Sequence, residues 1–155
     1  MAGGQSVDSI GCLDGEQVAY HVHIHLAVFV DGHPRQVPAG VGIVPPRRVQ
    51  TTPVGAFVTS GACFYWLHTL AADGIIHIES PSVKVYTLGN FFDIWRQPLD
   101  SNRVGPARGP VTVLLNGHRD NVDPRSIPLT AHQVIQLDVG TPLVKPHAIA
   151  FPHGL

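Results

Sequence analysis

From Tyr20 to Val30 the chain reads YHVHIHLAVFV, a strict alternation. Tyr20, Val22, Ile24, Leu26, Val28 and Val30 fall on one side of an extended backbone, and His21, His23, His25, Ala27 and Phe29 on the other. A period of two predicts a strand, because a helix would scatter the three histidines around its circumference. Asp31-Gly32 predicts a hairpin turn, with residues 36–38 as the returning segment. Two prolines and two arginines at 45–48 interrupt the pattern and predict a loop to about Thr52, followed by a short strand over residues 56–60. Residues 63–68 (CFYWLH) are aromatic and β-prone. Residues 71–74 read as a turn, and 74–79 (GIIHIE) as the partner strand, in which Ile76 and Ile78 alternate with Ile75, His77 and Glu79.

One short helix is predicted, with Thr87 as N-cap, Leu88 to Trp95 as its body and Pro98 beyond its end. A polar, glycine-rich loop follows over residues 100–109. Two further strands are predicted at 111–116, turning at Asn116-Gly117, and at 132–139. The fold class is therefore mainly β, an antiparallel sheet of hairpins with one short helix. The order hairpin, helix, strand, strand in the second half is β-grasp-like. Residues 27–40 and 111–129 echo one another in strand, Asx-Gly-His turn and proline return. The chain reads as a single β-rich domain over 1–155, with residues 1–17 a loose lead-in and 140–155 an extended tail.

Composition adds one unusual fact. Among 155 residues there are ten histidines, as many as lysine and arginine together. The formal charge of -1 gives no general attraction to nucleic acid or to an anionic membrane, and Arg47-Arg48 lacks the aromatic interleaving of a nucleic-acid groove. No apolar run approaches the ~20 residues of a membrane span. The first residues, MAGGQSVDS, have neither a basic nor an apolar export region, so no signal peptide is read within them. Cys12 and Cys63 allow one disulfide and hence an exported protein; two buried free thiols are the alternative.

Neutral imidazole is the commonest side-chain ligand for transition metals near neutral pH, and alternate strand positions stand roughly 6 to 7 Å apart. Two imidazoles so spaced can converge on one ion. Three in line leave the outer one outside the coordination shell. His68 and His77 stand on the next pair of predicted strands. If that hairpin packs beside Tyr20–Val30, His23, His25, His68 and His77 surround one site, with Glu79 as a weak candidate general base. The favoured ions are copper and zinc, and the metal-site candidates are His21, His23, His25, His68 and His77. The competing readings are a metal-dependent enzyme with an open coordination position, and a metal-free structural or interaction domain whose histidines form an exposed polar sheet face. The signatures HExxH, GxSxG, the P-loop and GxGxxG are absent, the only methionine is Met1, and no Asp follows His-x-His-x. Asp93, in FFDIW, reads as an exposed position on a helix whose aromatic residues pack inward.

At YHVHIHLAVFVDG, CFYWLHT, DGIIHIESP, YTLGNFFDIW and DPRSIPLTAHQVIQLDVGTP the chain resembles a family of small bacterial proteins, often preceded by an export or membrane-anchor segment. The resemblance spans most of residues 12–155 and brings no established activity. It implies an extracytoplasmic location and a histidine-lined site. The family pattern often carries histidine where this chain has Leu70, which implies either that a histidine there is dispensable or that this site has weakened metal affinity.

Overall fold

The structure, a computed structural model, describes residues 1–155. It is mainly β, with several sheets and one short α-helix. The principal sheet has seven strands: β1 (Tyr20–Val30), β2 (His33–Arg35), β3 (Leu67–His68), β4 (Ile75–Ser80), β5 (Val111–Leu115), β6 (His118–Asp120) and β7 (Val134–Val139). Across the sheet the order is β6, β5, β7, β1, β4, β3, while β2 pairs with the far end of β1. Every pairing is antiparallel except the central one, where β7 runs parallel to β1. The first and last long strands are thus central neighbours, each flanked by its own antiparallel partners. The second half does not form a sheet of its own, because the central strand β1 comes from the first half.

The alternation in β1 is what seats the sheet. Ile24, Leu26 and Val28 join Ile76, Ile78, Leu67, Ile135 and Leu137 in a core that also contains Leu88, Phe91, Phe92 and Ile94 of the helix α1 (Leu88–Trp95). The helix has the predicted bounds. The Thr87 hydroxyl accepts from the Asn90 backbone N–H, the Asn90 side chain accepts from the Thr87 N–H, and Arg96 ends the helix in a left-handed conformation. Asp93 accepts from Arg125 at 2.5 Å, so it ties the helix to the turn Pro124–Ser126. The sequence echo corresponds to two matching hairpins, with positive φ at Asp31-Gly32 and at Asn116-Gly117.

Several segments depart from the sequence reading. The first hairpin returns at His33–Arg35, three residues earlier than expected, because a two-residue turn leaves no slack. The expected loop after Pro46 contains a strand, Arg48–Thr52, paired with Gly55–Ser60. The loop 100–109 folds into a three-stranded meander of two-residue strands. CFYWLH is divided at Trp66: Cys63–Tyr65 pairs with Cys12–Leu13 and Ile43–Val44, whereas Leu67–His68 joins the principal sheet. Residues 1–17 are not a loose lead-in. Ala2 and Ile10 are buried in the main core, and the Ala2 N–H donates to the Ile94 carbonyl at the end of the helix. From Gly140 onward the chain has neither helix nor strand.

Cys12 and Cys63 form a disulfide that clamps this N-terminal segment onto the second small sheet. The bond closes a loop of 51 residues, and in the chain-entropy model such a closure is worth about 4 kcal/mol. Cys12→Ser combined with Cys63→Ser should therefore lower the denaturant midpoint markedly without changing the strand content. Equal midpoints for this variant and the wild type, with matched circular dichroism, would refute a stabilising role for the bond.

Candidate metal centre

The register of β1 on β4 sets the site. His21 lies opposite Glu79, His23 opposite His77 and His25 opposite Ile75, and His68 of β3 lies on the other side of His77. His23, His77 and His68 thus form one row across three strands, with His21 and Glu79 in the next row. The His25 N–H donates to Gln133 and the His23 carbonyl accepts from His132, so these residues direct their backbone bonds toward β7. Toward β4 they form non-hydrogen-bonded pairs, the geometry that brings facing Cα atoms to about 4.5 Å and side chains closest. The rings follow: His21 to His23 is 4.6 Å between centroids, His23 to His77 4.8 Å, and His68 stacks on His77 at 5.6 Å.

This face is not the solvent-exposed strip that alternation alone suggests. All of Ile75–Ser80 is buried, as are His23 and His68; His21 remains open to solvent. Residues 40–44 form part of the cover. Gly42, at φ +75°, passes so close to β3 that a Cβ there would stand 2.3 Å from the Leu67 carbonyl oxygen and 3.0 Å from the His68 Cβ. Phe64 meets the His68 ring edge-on at 5.4 Å. Leu70, where the resemblance implies histidine, packs instead against the small apolar cluster of Ile43, Val58 and Phe64.

Burial without compensation marks the cluster. His68 Nδ1 lies 2.9 Å from the Tyr65 carbonyl, to which it donates, which leaves Nε2 as a lone pair. That Nε2, the His23 Nε2 and the Glu79 Oε2 are buried with no hydrogen-bond partner. Glu79 faces three of the imidazoles: Oε1 is 3.0 Å from His21 Nε2 and 3.8 Å from His77 Nδ1, and Oε2 is 3.9 Å from His68 Nε2. Acceptors converging on one another in a dry place are costly unless a cation or proton lies between them. A buried imidazole whose other nitrogen donates to a carbonyl is also the arrangement that orients histidine for a metal.

Burial acts on the charges in the same sense. It lowers His23 and His68 to about 4 and His77 to about 3, with the neighbouring histidines adding to the effect. Burial, with a contribution from the Glu16 carboxylate, raises Glu79 to about 7. At neutral pH the three buried rings are therefore uncharged, the form that ligates. One ligand atom from each of His21, His23 and His77 lies within 4.8 Å of the others, and the same holds for Glu16, His68 and Glu79. Nitrogen ligands on a tetrahedral zinc at ~2.0 to 2.1 Å stand about 3.3 Å apart, so adjustments on the order of 1 Å close either set on an ion. The donor set fits a transition metal.

Of the sequence candidates, His21, His23, His68, His77 and Glu79 are brought together. His25 is not in either group. It sits one row away beside Gly74 and Asp73, with burial lowering its pKa against an opposing effect from Asp73. His33, His118, His147 and His153 are also outside both groups; His132 stacks on Phe151 of the tail. The sequence reading missed Glu16. Its only signal is position, four residues beyond a cysteine bonded to Cys63, which brings it toward the strand bearing His68. No helix is long and apolar enough to cross a membrane. Comparison with protein-family models, curated proteins and solved structures returns no match, so the site stands on its own geometry.

The depressed histidines make the metal-free protein acid-sensitive. For each, stability is fully present above the ordinary value of about 6.5 and is lost as pH falls toward the folded value of about 4 or 3, because the unfolded chain takes up the proton first. Glu79 acts oppositely, contributing below about 4.5 and losing that contribution as pH rises through about 7. Three groups oppose one, so the urea midpoint of chelator-treated protein should fall between pH 6.5 and pH 4. Replacing His77 with Gln should flatten that slope; an unchanged slope would show that His77 does not titrate as its burial requires.

Proposed function

We propose that this chain is an extracytoplasmic metal-binding protein that holds a transition-metal ion, copper or zinc, through His21, His23 and His77. The observation that carries the reading is the convergence of buried, uncharged imidazoles and an unpaired carboxylate oxygen on one face of three adjacent strands. Imidazole donors favour copper, zinc and their neighbours over magnesium or calcium, which take oxygen ligands. The Cys12–Cys63 disulfide supports an oxidising compartment, in keeping with the resemblance to exported bacterial proteins. The ion would supply positive charge where acceptors now face one another. The protein's own contribution is rigidity: His68 is fixed by Tyr65, His23 and His77 by the sheet, and Glu79 by the Trp66 carbonyl, which accepts its backbone N–H at 2.8 Å.

The test is metal content after dialysis of untagged protein against Zn2+ or Cu2+, read by elemental analysis and calorimetry. Wild type should retain metal, and His23→Ala with His77→Ala should weaken binding by more than ~100-fold, beyond the loss typical of a supporting residue. The ion should also stabilise the fold, by about 2.7 kcal/mol at a hundredfold excess over Kd. Undiminished metal retention by the double variant would remove these strands as the ligand source.

A further inference from the structure

The two ligand groups are separate in membership yet contiguous, and Glu79 joins them. One is His21, His23 and His77; the other is Glu16, His68 and Glu79. The Glu79 carboxylate is divided between them. Its Oε1 points to His21 at 3.0 Å and His77 at 3.8 Å, while its Oε2 points to His68 at 3.9 Å. We propose that the centre takes two transition-metal ions, with Glu79 as the bridging carboxylate and Glu16 as a ligand of the second ion. This rests on the metal-binding reading above and extends it to a site that His21, His23 and His77 do not form.

The argument for the second position is independent of the first three histidines. His68 is fully buried, its Nδ1 is committed to the Tyr65 carbonyl, and its Nε2 has no partner. Glu79, also buried, presents an unpartnered Oε2 to that same nitrogen. Glu16 adds a second carboxylate oxygen within 4.8 Å of both. Two carboxylates and an imidazole lone pair at such distances repel or leave one another unsatisfied, and a divalent cation between them reverses every one of those interactions. The two sets share no member, and they meet different oxygens of Glu79, His21 and His77 facing Oε1 and His68 facing Oε2. A carboxylate bridging ions about 3.5 to 4 Å apart is the usual geometry of a two-ion centre.

The chain builds the second position deliberately. Glu16 belongs to no strand, but Cys12–Leu13 is paired to Phe64–Tyr65 and covalently bonded at Cys63, which holds the following residues near β3. Glu16 is also exposed, so changing it leaves the core intact.

The experiment uses Cu2+ titrated into the full, disulfide-bonded chain, with stoichiometry from calorimetry and the coupling between ions from electron paramagnetic resonance. Wild type should bind two ions per chain and show the half-field transition that only a close pair gives. Exposed histidines elsewhere cannot produce that signal. Glu16→Gln should lower the stoichiometry from two to one, abolish the half-field transition and leave the spectrum of an isolated ion. His68→Gln should do the same, and if it fails to fold, Glu16→Gln carries the test alone. One ion per wild-type chain, or a half-field signal unchanged in Glu16→Gln, would overturn the two-ion centre while leaving the metal-binding reading intact. No bound ion in wild type would overturn both.

Discussion

The pairing of Tyr20–Val30 with Ile75–Ser80 constrains nearly everything else about the protein. Its register sets His21 against Glu79 and His23 against His77, and a one-residue slip would turn those side chains to the opposite face, where Ile24, Ile76 and Ile78 now pack. The register cannot slip, because that apolar face is sealed by the helix and by Ile135 and Leu137 of the neighbouring strand. The core therefore fixes the register that positions the histidines. A hydrophobic free energy of ~25 cal/mol per Å2 of buried apolar surface is spent on one side of the sheet, and the chemistry is held in place on the other.

That second side is covered as well, which gives the site its character. On an exposed sheet face, histidine and glutamate are solvated by water and titrate near their ordinary values. Under residues 40–44 and beside Phe64 they lose water, their charged forms become unfavourable, and their lone pairs must be satisfied from within the protein or by a cation. Residues 43–44 and Phe64 of that cover belong to the small sheet to which Cys12–Leu13 is also paired and disulfide-bonded.

The strand order also explains why the site lies where it does. Parallel pairing of β7 with β1 requires a long crossover, and the chain between β4 and β7 supplies it with the helix, the meander and the hairpin β5–β6. The side of β1 away from β7 is left for β4 and β3, the strands that carry Glu79, His77 and His68. Neither Asx-Gly turn itself bears a member of the cluster: Asp31-Gly32 follows the far end of β1, and Asn116-Gly117 follows β5, two strands away from β1.

Much of this was legible in the chain itself. The alternation of YHVHIHLAVFV determined a strand with three aligned histidines; GIIHIE determined a second with His77 and Glu79 on one face; Thr87 and Pro98 bounded the helix. Those are local patterns, set by side-chain period and capping chemistry, and they survive in any tertiary setting. The choice among the histidines was not local. His23 and His25 are equivalent in sequence, yet only His23 faces another imidazole, because the partner strand places His77 at its row and Ile75 at the next. The same holds for burial: alternation predicts an exposed polar face, and long-range packing, of residues 40–44 and Phe64 among others, covers it. Glu16 had no pattern to reveal it, since its place depends on a covalent bond between residues 51 positions apart. Period and propensity decide what each segment becomes; register, cover and crosslinks, which are contacts between distant segments, decide which side chains meet.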